Sequence, residues 1–144
     1  MVTKATSGYG TVLSIGSIPP GSSSSGVNSY TPVAEQITLK GPNISAKPLK
    51  ATNQTTSGGA EEYIPSGLID GGEVEVSGNF LPSEHETLIA IVDTVQSWQV
   101  AWPPTGTHAA TFAGILIDFE PTSEVEKPLE FSAKLKVTGP VTFT

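Results

Sequence analysis

The stretch 129–138 alternates without interruption: Leu129, Phe131, Ala133, Leu135 and Val137 fall on one side of an extended chain, and Glu130, Ser132, Lys134, Lys136 and Thr138 on the other. A period of two predicts a strand with one buried and one wet face. The same pattern runs through 72–80, where Val74, Val76 and Phe80 oppose Glu73, Glu75, Ser77 and Asn79. Residues 109–119 are apolar on both faces over their middle, as in a strand covered on both sides or meeting a neighbouring subunit. Trp98, Val100 and Trp102 share one face of a shorter strand that stops at Pro103-Pro104. Weaker strand patterns occupy 11–18 and 34–39.

One α-helix is expected, at about 84–95. Ser83 stands three residues before Glu86, the spacing of a capping box, and Leu88, Ile91, Val92 and Val95 follow as one apolar stripe. Glu84 and Glu86 sit in the first turn, where the helix dipole favours negative charge. The order strands, helix, strands reads as a mainly β fold. Two stretches are too long for simple hairpins. Residues 19–29 have the composition of a linker, and residues 41–70 hold Pro42, Pro48, Pro65, Gly58, Gly59 and Gly67. A loop of that size inside a compact domain is usually functional, and it is expected here to be an arm that orders on contact with something else.

Composition narrows the function classes. At 144 residues the chain is expected to form a single domain, 1–144, with a flexible terminus at 1–10. It has no cysteine, which removes disulfide scaffolds, Cys-ligated metal and thiol catalysis. The net charge is −7 and all 7 basic residues are Lys, a poor set for gripping phosphates. Between Glu61 and Asp93 there are eight carboxylates and no lysine, so this third of the chain is expected to present a single-sign surface. No signal-peptide-like run and no apolar stretch of membrane-spanning length occurs, so a soluble protein made inside a cell is expected.

Candidate chemistry is sparse. Glu73 and Glu75 share a strand face, as do Asp118 and Glu120, and paired carboxylates can act as acid and base in glycoside hydrolysis; alternating Glu on a solvated face accounts for them equally simply. His85 and His108 are the only histidines, neither has metal-ligand company nearby in sequence, and both are expected at the surface. No nucleophile elbow and no phosphate-binding loop is present, so neither catalysis nor a cofactor is expected. Trp98 and Trp102 could form a sugar-stacking platform, but two such Trp spaced by Val100 more often belong to a core or a subunit interface.

The order of parts carries more. A long polar arm is followed by Tyr63-Ile-Pro-Ser-Gly-Leu-Ile-Asp-Gly-Gly-Glu-Val-Glu-Val-Ser-Gly-Asn-Phe80, a helix, a Trp strand, Thr111-Phe-Ala-Gly-Ile-Leu-Ile-Asp-Phe119 and a closing Phe131-Ser-Ala-Lys-Leu-Lys-Val-Thr-Gly139. From about Tyr30 onward this resembles the major tail (tail tube) proteins of long, non-contractile-tailed bacteriophages. The resemblance implies a β-sandwich or partly rolled β-barrel with one flanking helix, and a structural virion protein without enzymatic activity. It further implies that six copies form a ring, that rings stack into a tube, and that double-stranded DNA passes through without tight binding. Tape-measure, tail-terminator and baseplate or tail-tip proteins are the implied partners. Synthesis is expected in the bacterial host cytoplasm, with no membrane involvement. Nothing follows Thr144 for an added decoration domain, so the tube domain is expected to stand alone.

On this reading Glu73, Glu75, Ser77 and Asn79 line the lumen, and Pro48, Asn53, Glu61, Glu62 and Tyr63 belong to an arm reaching the adjacent ring. Lys134 and Lys136 either pair with the carboxylates or face a neighbouring subunit, as Trp98 and Trp102 could. The alternative from another class is a carbohydrate-binding or adhesive β-sandwich module.

Overall fold

The computed structural model describes residues 5, 7–21, 26, 28–33, 35–53, 57–103 and 107–144. The expected flexible terminus and linker therefore fall partly outside the described residues, at 1–4, 6, 22–25 and 27.

The alternating segments all become strands of one antiparallel sheet. In chain order the elements are β1 (Val12–Gly16), β2 (Tyr30–Pro32), β3 (Gln36–Lys40), β4 (Ser45–Ala46), β5 (Leu49–Lys50), a 3-10 turn (Ser57–Gly59), β6 (Tyr63–Ile64), β7 (Ile69–Asp70), β8 (Glu73–Asn79), α1 (Pro82–Ala90), β9 (Val95–Trp102), β10 (His108–Thr122) and β11 (Glu130–Phe143). Seven of the strands form the main sheet in the order β2-β1-β9-β10-β11-β8-β3. Its spine is the β10–β11 hairpin, which runs from Thr122 opposite Glu130 to Ala110 opposite Phe143.

The inward face of the sheet is the core. Leu13, Val74, Val76, Trp98, Val100, Phe112, Leu116, Phe131, Ala133, Leu135 and Val137 are all buried and form one cluster. At its centre the Trp98 indole donates Nε1–H to the carbonyl of Gly114 at 3.2 Å. A Cβ on Gly114 would lie 3.2 Å from the Trp98 ring, so the small residue between Phe112 and Leu116 is what lets the indole lie against β10. Residues 109–119 were expected to be covered on both faces or to meet a neighbouring subunit; within the chain Ala110, Phe112, Gly114 and Leu116 are buried while Thr111, Ala113 and Ile115 on the other face are half-buried.

A single sheet with one short helix has too little helix to cover its apolar face, so the sheet bends over that face itself. Its two ends meet at Gln36. The Gln36 carboxamide accepts the Leu13 N–H at 2.7 Å and donates to the Leu13 carbonyl at 2.7 Å, and it also donates to the Val33 carbonyl. One side chain thus takes the place of a ladder rung between β3 and β1, which do not pair as strands. The result is a partly rolled barrel, with the ladder left open at that seam.

Three expectations are corrected here. Residues 41–70 are not structureless: β4 pairs β7 and β5 pairs β6, Lys47 N–H donates to Leu68 O and Ala51 N–H to Glu62 O, so the arm is an interrupted β-hairpin with the 3-10 turn near its tip. These contacts all come from its own chain.

The helix ends at Ala90 and not near Val95, because Asp93 adopts φ 65° and Val95 pairs with Ile115 as the first residue of β9. Its start also differs. Leu81 is the N-cap, Pro82 opens the helix, and no side chain makes the Ser83–Glu86 capping box.

The seam at Gln36 yields a stability test. Gln36→Ala takes the side-chain acceptor from the buried Leu13 N–H and one of two donors from the Leu13 carbonyl, which keeps the Val33 N–H, and the loss should be about 1–2 kcal/mol as read from the urea midpoint at unchanged slope. Gln36→Glu, which can accept but not donate, should recover only part of it.

Candidate functional site

Alternation along β8 and β11 that buries Val74, Val76, Leu135 and Val137 turns their other residues to solvent, and register decides which of these meet. Lys40 of β3 stands opposite Glu75, Glu75 opposite Lys134, and Lys134 opposite Asp118. One row across four strands therefore alternates in charge. Lys134 Nζ lies 3.8 Å from Glu75 Oε1. Lys136 stands opposite Glu73 but its Nζ lies 3.5 Å from Asp70 Oδ1, at the root of the arm. The next row is uncharged until its end: Thr38, Ser77, Ser132 and then Glu120.

All four residues expected to line a lumen thus lie on one face, with Glu73 and Glu75 exposed and Ser77 and Asn79 half-buried. Asn79 donates to Glu35 Oε2 at 3.3 Å. Within the chain Lys134 pairs with Glu75, one of the carboxylates considered for it, and Lys136 with Asp70.

The single-sign surface expected from Glu61 to Asp93 is also corrected, because folding brings lysines to it from distant sequence. Lys50, Lys134 and Lys136 reach Glu61, Glu75 and Asp70 respectively. These pairs are solvent-exposed and contribute little to stability. Their effect is on the character of the face, where Lys134 and Lys136 present paired charges.

The arm residues are placed as a group. Pro48 precedes β5, Asn53 lies toward the tip, and Glu61 and Glu62 lead into the return strand β6, which Tyr63 opens. Lys50 Nζ lies 2.7 Å from Glu61 Oε1, and the Tyr63 hydroxyl donates to Glu61 Oε2 at 2.8 Å. The Lys50 ammonium, then the Tyr63 hydroxyl, hold the Glu61 carboxyl below its ordinary range. Removing the Tyr63 proton would put two negative charges together, so the phenol is pushed up. The arm leaves Leu49, Tyr63, Ile64, Leu68 and Ile69 exposed.

Two expectations fail on burial. Trp98 is 1 % exposed, in the middle of the core, so it is neither a subunit-interface residue nor half of a sugar platform. Trp102 is half-buried and stacks on Phe143, ring centroids 6.2 Å apart.

His85 is not a surface histidine either: it too is 1 % exposed, with its ring 4.5 Å from that of Phe131 and close to Phe80 and Phe119. Its Nδ1 takes the N–H of the N-cap residue Leu81 at 2.9 Å, the role a capping box gives to its Glu, while Nε2 is buried with no hydrogen-bond partner among the described residues. A sequence signal existed, since His85 lies three residues before Leu88 on the helix's inward stripe. His108 is exposed as expected. Among the described residues no three His, Asp or Glu side chains gather as a metal site, and no helix is long and apolar enough to cross a membrane.

The class of fold is then defined: one curled antiparallel sheet, a short helix closing one end of the core, a projecting hairpin arm, and a polar outer face. Solved structures share it. The tail of an empty gene transfer agent particle, with C6 symmetry, superposes with a TM-score of 0.75 over 97 % of this chain and 99 % of its own, at 15 % identity. The SPP1 tail tube gives 0.63 over 93 % of this chain and 76 % of its own at 14 % identity. The six-fold symmetrised baseplate of the anti-feeding prophage gives 0.67 over 100 % and 97 % at 8 % identity. At these identities the likeness is one of fold. No protein-family model and no curated protein matches the sequence.

The ion pair at the arm's root has a pH signature. The Gly72 N–H, and after it the Lys136 ammonium, hold the Asp70 carboxyl below its ordinary value of 3.8. A depressed carboxyl stabilises the folded state above the unfolded value, and that stability is lost as pH falls through the folded one. Asp70→Asn should therefore be less stable than the parent at pH 7, with the gap closing below about pH 4. Urea midpoints for both proteins between pH 7 and pH 2.5 would check this; a gap that persists at the acid end would contradict it.

Proposed function

We propose that this chain is the tube subunit of a phage-type tail: a structural virion protein that stacks as rings, hexameric in number, around a lumen through which genomic DNA passes. The observation that carries the reading is the full-length likeness to the gene transfer agent tail, 97 % of this chain against 99 % of that one. The geometry is compatible with it. A sheet with a packed inner face and a wet outer face can line a water-filled channel. The outer face offers Glu73, Glu75, Ser77 and Asn79, and Lys134 and Lys136 on it are held beside carboxylates. A wall whose lysines are mostly paired offers a duplex little to replace its counterions, so the duplex slides and does not stick.

The ordered arm, with its row of exposed apolar side chains, is the part proposed to reach a neighbouring subunit or ring. Tape-measure, terminator and baseplate or tail-tip proteins are the partners this role entails, with synthesis in the cytoplasm of the bacterial host. Burial of Trp98 removes the main support for a carbohydrate-binding module.

Electron microscopy of the purified chain across a concentration series is the direct test, and annular particles and stacked tubes with an open lumen are expected. Replacing Glu73 and Glu75 together by Lys should leave assembly intact and slow or arrest DNA ejection from particles carrying the variant. Normal ejection, or a tube in which both carboxylates lie buried between subunits, would overturn the lumen assignment.

A further inference from the structure

The two ends of the β10–β11 hairpin are chemically complementary. At the closed end the chain turns between Glu124 and Lys127: Lys127 N–H donates to Glu124 O at 3.4 Å, and the side chains of the same two residues form an ion pair at 2.8 Å. Val125 and Glu126 are the central residues of this turn, and Glu126 takes φ 71°, a conformation that ordinarily calls for Gly or Asn. The turn thus holds a β-branched apolar side chain at its apex, 92 % exposed, where turn chemistry favours Pro, Gly, Asn or Asp. Leu129, half a turn of chain behind it, is exposed as well.

At the opposite end, β11 and the root of the arm enclose an open cleft of about 780 Å³. Ile44, Leu68, Ile69, Val137, Val141 and Phe143 line it. The cleft and the turn are separated along the hairpin by roughly 25–45 Å, at about 3.3 Å per residue.

Charge matches as well. From Glu120 to Glu130 there are four carboxylates and one lysine. The cleft rim carries Lys47, with Asp70 already engaged by Lys136.

We infer that the occupant of this cleft is the Val125 turn of a second copy of the chain. A knob at one end and its socket at the other make a head-to-tail contact, and such a contact builds a stack when successive copies are related along the hairpin axis without closing into a ring. This assignment rests on the tube reading and names the residues that would join one ring to the next: Val125 with Leu129 as the apolar knob, the arm root and β11 as the socket, and Glu126 facing Lys47.

The chain has no cysteine, so a single engineered pair reports on the contact without background. Val125→Cys combined with Leu68→Cys in the full-length protein should, on mild oxidation, give a ladder of covalent oligomers on non-reducing gels. Each single variant should stop at dimers. A double variant that gives no more than the singles overturns the knob-and-socket contact. If the parent still forms tubes by electron microscopy, the tube reading survives that result; if it forms none, both fall. As a second measurement, Lys47→Glu and Glu126→Lys should each raise the concentration needed for stacking, and the two together should bring it back toward the parent value. Failure of the double exchange to restore stacking would also count against the assignment.

Discussion

Every large feature of this fold follows from a shortage of cover. Strict alternation on β8, β9, β10 and β11 gathers the apolar side chains on one side of a seven-stranded sheet, yet the described residues supply only nine in α-helix to lay over them. Burying that face is worth about 25 cal/mol per Å² of apolar surface, far more than the cost of bending the sheet. The sheet therefore wraps around its own core, with Trp98 at the centre and α1 closing one opening through Leu88 and His85. The seam where its ends meet is sewn by an amide side chain, and the arm is what remains of the chain once the core is closed.

The same constraint sorts the charges. The carboxylates and ammonium groups of the sheet strands stay out of the core, and antiparallel register sets Lys40, Glu75, Lys134 and Asp118 in one alternating row on the outer face. That row joins residues from four separated parts of the chain. It changes the proposed channel wall from simply acidic to one of mixed charge in which Lys134 and Lys136 are paired, an arrangement better suited to a duplex in transit than strong charge of either sign.

Much of this was legible in the sequence because it is local. The faces of β8 and β11 can be read residue by residue from Val74 to Val137, and the mainly β class and the family resemblance both came from such stretches. What escaped notice depends on distant partners. Nothing near Gln36 announces that its carboxamide will satisfy Leu13, twenty-three positions away. The arm's ladders are only two residues long, interrupted by Pro48 and Pro65, so their composition reads as loop. Val95 fits both the helical stripe and the strand that follows, and only its pairing with Ile115 decides between them. Trp98 presented a choice between core and interface that alternation by itself does not resolve.

The β10–β11 pairing is broken by irregularities at two places, between Thr111 and Ala113 and between Leu116 and Asp118. In a long, regular hairpin a slip of one residue is forbidden, since it would carry Lys134 and Lys136 into the core, but a slip of two preserves every face and moves one strand by roughly 7 Å. The bulges abolish that second freedom: each is a notch that fits its partner strand in one position only. The hairpin is in effect a ruler with two engraved marks, and every copy of the chain must fold to the same length.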